Sequence, residues 1–233
     1  SRGPVPGTPP LLTKATMRLV TALLLAVLVA SPAAAGSIRG SAKVPPAPTP
    51  DTRFRPYAGR ASSLPAPARS PRGLVTDAVI YVETLPAGAT PPSRGPTPQL
   101  AQRDQSFEPR VVVVATGGTV DFPNFDPIYH NVFSVSPVKR FDLGKYPRGQ
   151  SRSVTFSKPG LVNVFCDIHA DMAAFILVVP NLAWVRPAAD GHFELSGLPE
   201  GRYKLHWWHP DFAGGVADVL VPASGDATFD VSF

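Results

Sequence analysis

The single cysteine of this 233-residue chain lies six residues before the second of its two methionines, in the run Cys166-Asp167-Ile168-His169-Ala170-Asp171-Met172. The pattern is C-x2-H-x2-M. Upstream, Asp121-Phe122-Pro123-Asn124 leads to His130-Asn131-Val132-Phe133. One thiolate, two imidazoles and one thioether, from Cys166, His130, His169 and Met172, are the ligand set of a type 1 copper site. Thiolate and thioether are soft and suit Cu(I), whereas imidazole serves both oxidation states. A trigonal His2Cys set with a weak axial Met favours neither ion strongly, so a one-electron step needs little rearrangement. Zinc is the rival metal. It would take Cys166, His130 and His169, with Asp171 in place of Met172, because a thioether is a poor zinc ligand. An intramolecular disulfide is impossible with one cysteine, and a lone thiol in an exported chain points to a reactive or metal-bound role.

Such a site needs elements that carry His130 to the Cys–Met loop. Hydrophobic residues make up 44% of the chain, charged residues 17%, and there are 29 prolines. Long periodic helices fit poorly with so much proline; short Val/Ile/Phe-rich runs broken by Gly and Pro predict an all-β protein. Strands are expected at 37–44, 77–83, 110–115, 119–122, 131–135, 153–156, 162–166 and 175–179. Gly117-Gly118, Asp126-Pro127 and Pro159-Gly160 supply turns. Cys166 then ends a strand whose Val162 and Val164 share its face, His169 and Met172 sit on a tight turn, and Phe175 starts the next strand. Three ligands come from one hairpin-like loop and the fourth, His130, from a distant strand.

The C-terminal part alternates more cleanly. Tyr203, Leu205 and Trp207 share one face of 203–209. In 227–233, Ala227, Phe229, Val231 and Phe233 point inward while Thr228, Asp230 and Ser232 point outward, the pattern of a half-buried antiparallel strand. The segment 188–233 is about 45 residues, close to the lower limit for folding alone without disulfide or metal. Strands 37–44 and 77–83 are therefore expected to complete this sandwich, with 107–179 inserted between its halves; the alternative is two domains in tandem. His206 and His209, three apart on a strand, point to opposite faces and suit surface or capping roles. Trp184, Trp207 and Trp208 read as core or rim aromatics, a sugar-stacking platform being the rarer use.

At the other end, Met17-Arg18, the apolar run 19–30 and Ala33-Ala34-Ala35 describe a secretory signal peptide cleaved after Ala35, with residues 1–16 an upstream extension. Twelve residues are too few to span a bilayer core that needs about 20, so no transmembrane segment is expected after cleavage. The formal charge of +5 is unevenly spread. Residues 36–76 carry seven basic groups against Asp51 alone, whereas 77–233 carry 12 basic and 16 acidic groups. The high pI thus comes from the leader and a Pro/Arg-rich arm at 45–74. Without a basic, aromatic-interleaved face in the folded part, nucleic acid is not an expected partner.

The segment 101–180 resembles the cupredoxin family of plastocyanin and amicyanin. The resemblance rests on Phe107-Glu108-Pro109, Gly117-Gly118-Thr119-Val120-Asp121-Phe122, His130-Asn131-Val132, Pro159-Gly160 and Val164-Phe165-Cys166 with His169 and Met172. The short ligand loop is similar to that of amicyanin, although the usual loop proline is absent and Asp167 and Asp171 stand nearby. Phe141-Asp142-Leu143-Gly144-Lys145-Tyr146 resembles exported proteins of the methylamine-utilisation type. Residues 181–233 resemble carboxypeptidase regulatory-like domains through Asp190-Gly191-His192-Phe193-Glu194-Leu195 and Gly197-Leu198-Pro199-Glu200-Gly201-Arg202-Tyr203. These resemblances imply a Greek-key cupredoxin β-sandwich plus a second, small Ig-like β-sandwich. The implied domains are a leader at 1–35, N-terminal strands and arm at 36–84, a cupredoxin domain at 101–180 and a second sandwich at 181–233.

The function expected is an exported, periplasmic or secreted blue-copper protein with one type 1 copper, passing single electrons between redox partners such as a dehydrogenase, a cytochrome or an oxidase. Apolar Ile168, Ala170 and Ala173 around His169 would form a docking patch, and Lys139, Arg140, Lys145 and Arg148 could steer an acidic partner. Enzyme activity is not expected, since four ligands leave no open position and no general base is identifiable. The alternative is a copper-binding or glycan/protein-binding envelope module without an electron-transfer role.

Overall fold

The computed structural model describes Gly3 and residues 36–46, 72–93 and 95–233. The expected leader and cleavage site, and most of the Pro/Arg-rich arm, lie outside the described residues. The described strands all belong to one compact unit, Ala33–Phe233. Among the described residues the secondary structure is strand, apart from a 3-10 turn at Val75–Asp77. No helix among them is long and apolar enough to cross a membrane. The all-β fold expected from composition is the fold observed.

The sheet that carries the ligands runs Val111–Ala115, Ala173–Val179, Gly160–Phe165, His130–Ser136, Lys139–Tyr146. Two of its four neighbouring pairs, Val111–Ala115 with Ala173–Val179 and Gly160–Phe165 with His130–Ser136, join strands distant in sequence, as a Greek key requires. The chain crosses from Val111–Ala115 to Gly118–Pro123 in the facing layer, comes back for His130–Ser136 and Lys139–Tyr146, crosses again to Ser151–Phe156, which pairs with Gly118–Pro123, and returns to Gly160–Phe165. A short hairpin, Ala101–Arg103 with Ser106–Glu108, lies beside that layer. Between the layers sit Phe107, Val112, Val114, Val120, Phe122, Val132, Tyr146, Phe156, Val162, Val164 and Ile176. Each fully buried Phe or Ile among them stabilises the fold by roughly 1.5–3 kcal/mol.

Every residue of Val111–Ala115 is buried. The reason is that both faces of its sheet are covered. Val112 and Val114 face the first core, while Val111, Val113 and Ala115, with Leu177 and Val179 of the parallel neighbour, pack on Val79, Leu182, Trp184 and Trp208. A strand covered on both faces reads as a continuous apolar run rather than an alternation.

Val79 and Trp208 belong to a second pair of layers. In one, Gly36–Lys43 pairs with His192–Leu198. In the other, Trp184–Val185, Val79–Val82, Gly201–Trp208 and Gly215–Val221 lie in that order. Ile38, Ile80, Val82, Phe193, Leu195, Leu198, Tyr203, Leu205 and Val221 fill the space between. The strands at 36–43 and 79–82 thus share sheets with C-terminal strands, although 107–179 separates them in sequence.

Two expectations need correction. The inward and outward sets of 227–233 are as read, but the strand is not antiparallel. It is two short pieces, Ala227–Thr228 and Val231–Ser232, each parallel to Gly36–Lys43. The break falls where the Asp230 carboxylate accepts the Ser41 N–H (2.7 Å) and hydroxyl (2.8 Å), and the Phe229 carbonyl lies against Gly40, where any Cβ would collide with it. Second, Lys139, Arg140 and Lys145, outside every strand expected from the sequence, lie on the strand Lys139–Tyr146. Its charged outward residues suit the edge of a sheet, where they oppose pairing with another chain.

The two pairs of layers meet at a polar cluster as well as at the apolar one. Arg110 donates to both Asp211 oxygens at 2.6 and 2.5 Å, and its guanidinium lies 5.4 Å from the Phe175 ring centre. Asp77 lies 3.6 Å from Arg110. Arg186 donates to the carbonyls of Thr76 (3.0 Å) and Val111 (2.7 Å). His209, expected at the surface or as a cap, is buried and caps: its Nε2 meets the Leu74 carbonyl at 3.0 Å and its Nδ1 accepts the Asp211 N–H at 3.0 Å.

Candidate metal centre

Cys166 directly follows the last residue of Gly160–Phe165, and Ala173 opens the returning strand. The loop between them is pinned by its own backbone. The Cys166 N–H donates to the Met172 carbonyl (3.2 Å), and the Met172 N–H to the His169 carbonyl (3.0 Å). His169 therefore sits on a tight turn whose two ends are Cys166 and Met172, as the C-x2-H-x2-M spacing implies.

His130 arrives from the neighbouring strand, where it pairs with Tyr146. The register of this pair slips between Asn131 and Phe133, so His130, Asn131 and Val132 are buried in succession. A regular strand buries alternate residues; a bulge re-aims one side chain without ending the pairing. Below it, Tyr146 donates its hydroxyl proton to the Phe122 carbonyl (2.8 Å) and accepts from Gln102 (2.6 Å). Burial pushes this phenol up to about 12, so it is neutral.

The donor atoms converge. His130 Nδ1 and His169 Nδ1 are 3.1 Å apart, and Cys166 Sγ lies 3.9 Å from the first and 3.8 Å from the second. The circle through these atoms has a radius of about 2.1 Å, close to the ~2.0–2.3 Å at which imidazole nitrogen and thiolate sulfur bind a metal. Among the described residues this trio is the one His, Cys or carboxylate cluster close enough to share an ion. His130 and Cys166 are buried and His169 is half-buried, so His169 is the donor nearest solvent. Burial, helped by the adjacent His130 ring, pushes the His169 imidazole below its ordinary value against the pull of Asp126. A lowered imidazole keeps its lone pair at neutral pH.

Met172 is 1% exposed within the same core cluster as Cys166, and Asp171 beside it faces solvent. The thioether, not the carboxylate, is on the inside of the loop.

In the sequence Asp126, followed by Pro127, reads only as a turn residue. In the structure its carboxylate meets His130 Nε2 at 2.7 Å. Burial alone would raise this carboxyl, but hydrogen bonds from the Gln105 N–H, the His130 ring and the Asp104 N–H outweigh it and hold the group below the ordinary carboxylate range. The available signal was an acid four residues before a ligand histidine.

Phe125, Ile128 and Tyr129, from the loop leading to His130, and Ile168, from the loop carrying His169, are exposed. Lys145, in the basic cluster, lies 3.8 Å from Asp167. Trp207 donates to the Ser232 carbonyl (3.1 Å) and packs on Phe229, while Trp208 sits edge-on to Phe175.

No protein-family model and no curated protein matches the chain. Solved structures match part of it. A Cu-containing nitrite reductase (NirK) from Thermus scotoductus SA-01 is 26% identical with a TM-score of 0.35. The match covers 40% of this chain and 26% of that one, so this chain spans about a quarter of that protein's length. A purple cupredoxin from Nitrosopumilus maritimus is 18% identical over 35% of this chain and 98% of its own, with a TM-score of 0.33. An amicyanin variant in its Cu(I) form is 21% identical over 44% and 98%, with a TM-score of 0.34.

Proposed function

We propose that the protein is an exported type 1 copper electron carrier, with His130, Cys166 and His169 as the strong ligands and Met172 as the weak axial one. The observation that carries this reading is the convergence of two imidazole nitrogens and one thiolate sulfur on a point at bonding distance from all three. A buried thioether beside an exposed carboxylate favours copper over zinc. Bound there, copper supplies one-electron redox chemistry. The chain's part is to hold the donors in one arrangement, so that little moves when the charge changes, and to keep water from the buried side.

Ile168 (43% exposed), Phe125 (42%) and Tyr129 (58%) flank the histidines and form the surface on which a redox protein would dock, closest to His169. The partner class is a dehydrogenase, a cytochrome or an oxidase. We assign no catalytic role, because four protein ligands leave no position for a substrate. The leader read at 17–35 supports a periplasmic or secreted location. The separate cores support a division into a cupredoxin domain, 101–180, and a second sandwich from 36–84 and 181–233.

The test is Cu(II) addition to wild type and Cys166→Ser. Wild type is expected to show an intense visible thiolate-to-copper band and a narrow copper hyperfine splitting, both lost in the variant. A colourless wild type, or a tetragonal copper signal that survives the mutation, defeats the proposal.

A further inference from the structure

Asp126 and His130 form a buried pair whose geometry fixes which ring nitrogen faces which partner. Both side chains are at most 6% exposed, and Nε2 of the ring faces Asp126 Oδ2 at 2.7 Å while Nδ1 faces Cys166 and His169. A neutral imidazole carries one proton. A carboxylate can only accept, so the proton belongs on Nε2 and the lone pair on Nδ1.

The carboxylate is itself held from the other side. Oδ1 accepts the Asp104 N–H at 2.6 Å and Oδ2 the Gln105 N–H at 2.9 Å. These two residues are the turn between Ala101–Arg103 and Ser106–Glu108, with φ of 50° and 57°. Neither is glycine. Left-handed backbone costs an ordinary residue roughly 1–2 kcal/mol, and at two successive residues it persists where surrounding contacts impose it. Here the turn aims both N–H groups at one carboxylate. The loop holding Asp126 is equally fixed: its N–H donates to Asn124 Oδ1 (2.9 Å), and Asn124 Nδ2 donates to the carbonyls of Ile128 (2.9 Å) and Tyr146 (3.0 Å). Tyr146 is the strand partner of His130, so the bonded circuit closes on the ligand.

We propose that Asp126 is a positioning residue for the metal centre: clamped by the Asp104–Gln105 turn, it fixes His130 as the Nε2–H tautomer, presents Nδ1 to the metal, and strengthens that nitrogen as a donor to Cu(II) more than to Cu(I). The preference follows from charge. A carboxylate behind the ring raises electron density on Nδ1, and the more highly charged ion gains more from it. The inference rests on the copper reading for its redox half only; the tautomer is a property of the metal-free protein.

The test therefore has two arms, on wild type and Asp126→Asn. In the first, long-range proton–nitrogen NMR of the metal-free chain at pH 8 reads the His130 tautomer. Wild type is expected to carry its proton on Nε2, shifted downfield by the carboxylate, and the Asn variant to lose that shift, since one amide oxygen cannot serve three N–H donors. A wild-type proton on Nδ1 overturns the proposal, and this arm stands even if the variant fails to fold. In the second, competition titrations read Cu(II) and Cu(I) affinities. Loss of the carboxylate is expected to weaken Cu(II) binding by about 10–100-fold, Cu(I) binding by less, and so to raise the reduction potential. Equal loss for both ions, or none, overturns the redox half. If wild type shows no type 1 spectrum, the electron-carrier reading fails while the NMR arm still decides the role of Asp126.

Discussion

Among the described residues, two clusters of ionisable side chains lie largely out of solvent, and they are built on opposite plans. At the junction of the two pairs of layers, donors face acceptors. Arg110 spans Asp211, Arg186 caps two carbonyls, and the His209 ring is used at both nitrogens. Only Asp77 Oδ2 there is buried without a hydrogen bond, and it faces the Arg110 charge at 3.6 Å. Around Cys166 the plan reverses. The Nδ1 atoms of His130 and His169 and the Cys166 sulfur face one another at 3.1 to 3.9 Å, while Asp126 holds the His130 ring by its other nitrogen. Matched donors and acceptors mark a cluster that holds the fold. Donor atoms turned toward one point and held from behind are what the proposed metal centre needs.

That contrast breaks first at Arg110. Arg110→Ala leaves two buried carboxylates without their cation and should cost about 3–5 kcal/mol, read by urea unfolding, while the copper spectrum of the folded fraction stays as in wild type. A loss of the spectrum with no loss of stability would reverse the assignment of the two clusters. Next in size is the acid response. The Arg110 hydrogen bonds, against burial, hold Asp211 down to about 2, below the ordinary 3.8. A depressed carboxyl stabilises the fold above its unfolded value and loses that contribution as pH falls through the folded one. Wild type should therefore lose stability between about pH 4 and pH 2, and Asp211→Asn should flatten that stretch of the curve. Asp77, raised chiefly by burial despite Arg110, has the opposite sign, so Asp77→Asn should cost less than Asp211→Asn at pH 7. The smallest effect on stability, and the sharpest on the site, is expected from Met172→Leu. Volume is nearly conserved, so the cost should stay below about 1.5 kcal/mol; the visible band should persist and the potential rise, the response expected from removing the proposed thioether donor. An unchanged potential would remove Met172 from the ligand set.

How much of this was legible depended on the range of the physics. The Cys–Met loop was readable because Cys166, His169 and Met172 are three residues apart and its closing bonds, Cys166 to Met172 and Met172 to His169, are local. The strand 111–115 was visible as an apolar run, but not that a second set of layers covers its outer face. Lys139–Tyr146 was missed because an edge strand carries Lys, Arg and a glycine at φ 62°, features shared with loops. The hairpin at Asp104–Gln105 was missed because its left-handed turn has no glycine to announce it. Residues 227–233 had a correct alternation and a wrong partner direction, since period two records which face is buried and is silent on which strand lies alongside.

By itself the sequence determined the all-β class, the donor types, and the spacing that puts Cys166, His169 and Met172 on one loop, because residue chemistry and short-range backbone geometry act within a few positions. The tertiary structure alone decided that His130 Nδ1, rather than Nε2, faces those donors, that Asp126 and a turn some 20 residues earlier in the chain hold that ring, and that Arg110 finds Asp211, 101 residues away. Those outcomes depend on which faces meet when the chain closes. A hydrogen bond is settled by the few ångströms between two atoms, and no local pattern fixes that separation for residues brought together from distant strands.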